Sequence, residues 1–196
     1  DGYRCRMAHS GQAGLERMRS VGALPRRSLV LGNAVDPLRF RPATSLERQA
    51  SRRALELADT DLVAVLVARL TPDKDHATFL RAAALAAAEE PRLCFVCVTP
   101  EPARLSASLA VLAAAPALAG RLRWHAAGSD VRPALACADL LVSSSLAEGF
   151  PNVLLEAQAC ALPIAATDAG ASREIVGAAR AGDIDGGGID EHRALG

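Results

Sequence analysis

Rings are nearly absent from this sequence, with one Trp, one Tyr and four Phe among 196 residues. Because 51% of the residues are nonetheless hydrophobic, the interior has to be packed from Ala, Leu and Val, which suits helices and buried strands. The length gives room for one sizeable core plus a remnant, or for one domain with long ends. Long apolar runs are missing too: charged residues or prolines interrupt every stretch before the ~20 residues that a membrane span needs. Nor is there an excess of either charge, since 22 Lys and Arg face 22 Asp and Glu. The overall field therefore gives no reason to expect nucleic acid as a partner, and any anion site has to be local. The first residue is Asp1 and the opening segment lacks the apolar stretch of a secretory signal, so the chain is expected to be an excerpt.

The five cysteines make an odd count scattered through apolar segments, which excludes a secreted disulfide framework. A cytoplasmic setting is expected, with a peripheral place at the inner face of the membrane left open. Cys94 and Cys97 have CxxC spacing, but they lie inside the apolar run Leu93 to Val98. On a strand an odd separation points the two sulfurs to opposite faces, so they read as small core residues and not as a redox or metal pair.

From Asp61 onward, short Val- and Leu-rich runs alternate with alanine-rich stretches of helical spacing, the pattern of βα units around a parallel sheet. Strands are predicted near Leu62 to Ala68, Leu93 to Val98, Leu122 to His125, Leu140 to Ser143 and Ile164 to Ala166. Helices are predicted over Ala77 to Glu89, Pro102 to Ala114, Val131 to Cys137, Pro151 to Ala159 and Ser172 to Val176. Continuously apolar strands are covered on both faces, which defines a doubly wound, Rossmann-like α/β domain over residues 43–176. Ligands of such sheets sit beyond the carboxyl ends of the strands, so the loops opening at Arg69, Thr99, Ala126, Ser144 and Thr167 are where chemistry is sought.

Ahead of this domain, Gly11 to Val21 reads as a helix, Ser28 to Leu31 as a strand, and Gly32 to Pro42 as a hinge rich in turn residues. Residues 1–42 are taken as a remnant of a preceding domain plus that hinge. An arginine-rich helix over Ser45 to Asp59 follows, and its arginines are read as a solvated face. Residues 177–196, with three consecutive glycines and no apolar period, read as an irregular tail.

Two constellations fall on strand ends. Arg69 and Lys74 directly follow the first strand of the domain; a planar guanidinium fork beside a mobile ammonium suits the oxygens of a diphosphate. Taken alone, the pair reads more readily as solvated loop charges, one bonded to Asp73 or Asp75. The second runs from Ser143 to Glu156. Pro151 suits the first helical position, leaving the amides of Asn152 and Val153 as free donors that favour phosphate. Glu148 falls in the loop at the cleft mouth. Glu156 falls inside the helix, where a carboxylate can accept two hydrogen bonds from a ribose diol. Taken separately, Glu148 reads as a turn acid and Glu156 as an exposed helix residue. A glycosidase needs two carboxylates flanking one bond from opposite sides, which two acids along one loop and helix provide poorly.

The combination resembles the retaining glycosyltransferases of GT-B architecture, often called family four. Arg69 and Lys74 match the family's arginine-x4-lysine pair, and Glu148 with Glu156 match its glutamate-x7-glutamate motif in the setting EGFPNVLLEA. Asn33-Ala34-Val35-Asp36, followed by Phe40 and Pro42, resembles the family's hinge. Agreement continues through Asp139 to Ser145, Ala161-Leu162-Pro163, Thr167 to Gly170 and Arg173 to Val176, so the resemblance spans roughly Ala8 to Val176.

The resemblance implies the C-terminal, nucleoside-diphosphate-sugar-binding half of the enzyme. Arg69 and Lys74 would hold the diphosphate, Glu156 the ribose, and Glu148 the transferred sugar or its reacting end. Gly149, Phe150, Asn152 and Val153 would complete the donor site, and the base would lie near Asp130 and Val131. The acceptor would be a glycan, a lipid or a small molecule, handled by an N-terminal domain that this chain lacks. Charge and positioning would carry the rate, so no metal and no cofactor are expected, and activity in chelator once the missing domain is present. A non-catalytic nucleotide-sugar-binding module and a GT-B sugar-nucleotide epimerase are the rival readings. Three departures stand out: Ala34 and Ala161 replace customary glycines, and Thr99-Pro100-Glu101-Pro102 replaces a glycine-containing loop.

Overall fold

The computed structural model describes residues 7–9, 12–22, 28–126, 128 and 130–177. A small unit comes first: β1 (Met7–His9), α1 (Gln12–Ser20) and β2 (Ser28–Val30), the strands pairing in parallel. The strand β1 is not among the elements that the sequence predicts.

The remaining elements form one five-stranded sheet with its helices. They are α2 (Ser45–Ala54), β3 (Leu62–Val67), α3 (His76–Glu89), β4 (Leu93–Thr99), α4 (Ala107–Ala113), β5 (Leu122–Ala126), α5 (Arg132–Cys137), β6 (Leu140–Ser143), α6 (Asn152–Ala159), β7 (Ile164–Ala166) and α7 (Ser172–Val176). Every pairing in the sheet is parallel and the strand order is β5-β4-β3-β6-β7. The chain winds outward from β3 to β5, then returns to the other side of β3 and winds outward again to β7. The reversal falls between β3 and β6, which share only the pairs Ala64–Leu140 and Val65–Leu141. Loops leaving the carboxyl ends of those two strands diverge there and open a crevice.

Alternation along β3 explains the core. Val63 and Val65 face one way, into a cluster with Leu55, Leu57, Cys94 and Val96 beneath α5. Ala64 and Leu66 face the other way, against Phe79, Leu80, Phe95 and Cys97 beneath α3. Cys94 and Cys97 thus lie on opposite faces of the sheet, as the odd spacing requires, and burial raises both thiol pKa values. A third cluster of Phe40, Leu135, Leu141, Leu154, Ala157 and Ile175 seats α6.

Two predicted helices change shape. The stretch from Pro102 to Ala114 is not one helix but a 3-10 turn, Pro102–Arg104, followed by α4, because the Ser106 side chain accepts from the Leu109 amide and starts a new helix. The arginine-rich helix ends at Ala54; Arg53 is exposed, but Arg48 and Arg52 turn inward and are not part of a solvated face. Arg52 is 1% exposed, and its guanidinium donates to the carbonyls of Cys137, Ala58, Asp59 and Asp61 and to Asp139 Oδ2 at 2.8 Å. Asp139 also accepts from Arg48 and from the Val63 amide, fixing the start of β3 to the start of β6. The N-terminus of α2 carries a reciprocal cap between Thr44 and Glu47.

Candidate functional site

The crevice is assembled by backbone before any side chain enters it. After β3 the chain passes Arg69, turns through the 3-10 segment Pro72–Lys74 and reaches Asp75, which has φ 41° and caps α3 by accepting from the Thr78 amide at 3.1 Å. Opposite it, the loop after β6 is stitched to this turn. The Ser144 hydroxyl donates to the carbonyls of Lys74 (3.1 Å) and Asp75 (3.0 Å), and the Leu146 amide donates to the Asp73 carbonyl at 2.8 Å. A third loop, after β7, joins them: the Thr167 hydroxyl donates to the Ser145 carbonyl at 2.5 Å and the Ala171 amide to the Gly149 carbonyl at 3.2 Å. Gly170 has φ 57°, and a Cβ there would lie 2.0 Å from the Glu148 carbonyl oxygen. Only glycine permits that approach.

Within this frame Lys74 and Glu148 meet. Lys74 Nζ lies 2.5 Å from Glu148 Oε1, with side-chain exposures of 15% and 11%. The Ser145 hydroxyl donates to the same oxygen at 2.7 Å, and Asp73 lies 3.6 Å from the ammonium. Both members of the pair line a cavity of about 190 Å³, together with Ser145, Phe150, Asn152 and Val153. Gly149, exposed, sits between Glu148 and Phe150 in the same loop. Pro151 is the N-cap of α6 and not its first helical residue, so Asn152 and Val153 are themselves the first two helical positions. Their amides have no acceptor within the helix and lie at the positive end of its dipole.

The other predicted residues stand apart from this cavity. Arg69 is exposed and has no ion-pair partner among the described residues. Glu156, fifth in α6, is partly buried; burial raises its pKa, and the charge of Arg39 opposes the rise. Neither lines the walls of this cavity or of a second one of about 520 Å³ between α2 and α5. Asp130 lies in that second cavity. Its bond to Arg132, 2.7 Å away, holds its pKa down to about 2. Val131, partly buried, packs between the first and third core clusters.

The sequence marks Ser144 and Thr167 as openings of ligand loops and puts Ser145 and Gly170 in matching segments, but it does not disclose the bonds and the close approach by which these four build the crevice. A run of three serines straight after an apolar strand is the signal that marks two of them. Asn33 is predicted only as part of a hinge; its side-chain amide donates to Asn152 Oδ1 at 2.6 Å, tying the segment ahead of α2 to the first residue of α6. Ala161, where a glycine was expected, takes φ 56° and carries the strain of a left-handed turn.

Residues 61–185 match the family model described as "Glycosyl transferases group 1". The chain belongs to this family. It is 36% identical over 166 residues to a D-inositol 3-phosphate glycosyltransferase of Geodermatophilus obscurus, an alignment covering 79% of this chain and 36% of that protein. It is 30% identical over 172 residues to a GDP-mannose-dependent monoacylated alpha-(1-6)-phosphatidylinositol monomannoside mannosyltransferase of Corynebacterium glutamicum, covering 82% of this chain and 44% of the other. The chain thus spans less than half the length of these relatives. In fold it resembles Anabaena Alr3699/HepE, solved in complex with UDP-glucose, with a TM-score of 0.74 and 22% identity over 85% of this chain and 46% of that one. It also resembles the C-terminal domain of a glycosyl transferase group 1 family protein, LpcC, from Francisella tularensis, with a TM-score of 0.60 and 23% identity over 72% of this chain and 74% of that one. Among the described residues no helix is long and apolar enough to cross a membrane.

Proposed function

We propose that this chain binds the nucleoside-diphosphate-sugar donor of a retaining glycosyltransferase. The observation that carries the reading is the meeting of Lys74, Glu148 and the first turn of α6 around one cavity at the point where the sheet reverses. An ammonium and two helix-terminal amides suit a diphosphate, and a carboxylate 2.5 Å from that ammonium suits the hydroxyls of the sugar attached to it.

In this mechanism the bond between the anomeric carbon and the diphosphate oxygen breaks, an acceptor hydroxyl oxygen bonds to that carbon on the same face, and the acceptor's proton passes to the departing diphosphate. Negative charge grows on the leaving diphosphate, where Lys74, the amides of Asn152 and Val153, and Arg69 from outside the cavity stabilise it. Glu148 holds the sugar through its hydroxyls, and Glu156 accepts hydrogen bonds from the ribose. No step calls for a metal, so transfer is expected to persist in chelator. The acceptor, a glycan, a lipid or a small molecule, would be bound by a second domain, and the acceptors named for the relatives include inositol phosphate and phosphatidylinositol mannoside. A lipid acceptor would bring the protein to the inner membrane face.

Calorimetry with UDP, GDP and ADP on the folded chain tests the binding claim. One of the three is expected to bind, and Lys74→Met to weaken it at least tenfold. Binding by none of them to a chain shown folded by circular dichroism would sink the reading. A non-catalytic module shares the pocket, so transfer has to be assayed in a protein that carries this chain joined to an acceptor-binding domain. There Glu148→Ala is expected to lower turnover more than donor affinity, and the product should keep the anomeric configuration of the donor by NMR.

A further inference from the structure

If the cavity takes the donor as proposed, a reading on which the present inference rests, the bond between Lys74 and Glu148 occupies the place where the diphosphate has to sit. A phosphate reaching Lys74 competes with the carboxylate for one ammonium and becomes its close neighbour. Like charges at such range in a partly buried site repel far more strongly than in open water. The carboxylate is poorly placed to swing aside. Ser145 holds its Oε1 at 2.7 Å, the loop behind it is bonded to the Asp73 and Thr167 segments, and Gly170 runs so close behind its carbonyl that an added Cβ would lie 2.0 Å from the oxygen.

The repulsion is not equal for the two nucleotides that would visit the site. A nucleoside diphosphate ends in a terminal phosphate, anhydride-linked to the first, whose last ionisation falls at pH ~6 as in phosphate groups generally, so at neutral pH it carries most of an extra negative charge. In the nucleotide sugar that oxygen is esterified and the charge is absent. The sugar also brings hydroxyl donors, and Glu148 Oε2 accepts from no side chain or amide among the described residues. We infer that Glu148, by sharing Lys74 with the ligand, is a specificity-determining residue that favours the intact nucleotide sugar over the spent diphosphate and speeds departure of the latter.

The test is calorimetry at pH 7.5 on the whole chain and its Glu148→Gln variant, with UDP against UDP-glucose and GDP against GDP-mannose. The wild type is expected to bind the sugar conjugate more tightly than the bare diphosphate. The variant should bind the bare diphosphate about tenfold more tightly than the wild type does and lose most of the preference. If the variant binds the diphosphate no more tightly than the wild type, or the wild type prefers the diphosphate, the inference is overturned while the proposed function stands. If the folded wild type binds none of the four, both fall. Should the variant not fold, the wild type alone decides with UDP or GDP against its β-methyl ester, which removes the extra charge without adding a sugar. The ester is expected to bind more tightly, and equal or weaker binding overturns the inference.

Discussion

Two acid–base pairs stand at opposite ends of the same central strand, and they are built on different terms. At the start of β3, Arg52 is 1% exposed, and its guanidinium reaches four backbone carbonyls besides Asp139, which is itself bonded to Arg48 and the Val63 amide. Beyond the end of β3, Lys74 and Glu148 are also mostly covered, but among the described residues the ammonium has only carboxylates for partners, and the pair lines a cavity. A charge whose every nitrogen is bonded locks a structure, because removing it takes a partner from several acceptors at once. A charge pair left with spare capacity beside a void is available to a third party. Satisfaction of hydrogen bonds, more than burial, separates the structural pair from the candidate site.

The comparison breaks first at Arg52. Arg52→Ala should cost about 3–5 kcal/mol, read as a lower urea midpoint at unchanged slope, because it takes the guanidinium from the carbonyls of Cys137, Asp59 and Asp61 and from Asp139, and leaves the Ala58 carbonyl with the Asp61 amide alone. A loss below about 1 kcal/mol would mean that the network is ornamental. Next comes Gly170→Ala, where a Cβ would lie 2.0 Å from the Glu148 carbonyl at φ 57°. It should lower stability by about 2 kcal/mol or more and displace the Glu148 loop, so nucleotide affinity falls with it.

The upper pair itself should matter little to folding. Lys74→Met combined with Glu148→Gln is expected to change stability by less than about 1 kcal/mol in either direction, since neutralising both members leaves no stranded charge, while binding diphosphate at least tenfold more weakly than Glu148→Gln alone. A loss as large as that of Arg52→Ala would erase the distinction. The smallest effect is expected at Glu156, whose folded pKa burial lifts above the ordinary 4.5. The unfolded chain ionises first as pH rises through 4.5, so the carboxyl detracts from stability between there and its folded pKa, and by a constant amount above. Glu156→Gln should therefore raise the melting temperature slightly at pH 7 and converge with the wild type below pH 4.5.

How far the sequence discloses these features depends on the range of the interactions. Strands β3 and β4 were legible because continuous Val and Leu runs identify strands covered on both faces, and the opposed faces of Cys94 and Cys97 followed from period two alone. The carboxyl ends of β3 and β6 were legible as places for chemistry once the βα alternation was seen. The burial of Arg52 was not. An arginine among arginines on a polar helix reads as solvent-facing, and its partners lie 6, 7, 9, 85 and 87 residues away, beyond any local pattern. The pairing of Lys74 with Glu148 spans 74 residues and could be placed only at the same edge of the sheet, not in contact. Ser106 shows the opposite error: its capping character was local and readable, yet the alanine-rich run around it suggested one unbroken helix.

The stitching of the crevice has a consequence for timing. Ser144, Leu146, Thr167 and Ala171 fix three loops to one another through backbone carbonyls, so the walls are ordered when the sheet forms and not when a ligand arrives. Little conformational entropy is left to lose on binding. A visitor meets a finished cradle in which an ammonium already in use has to change partners. The rate of capture is then set by diffusional encounter, because a change of side-chain partner is faster than the closing of a loop.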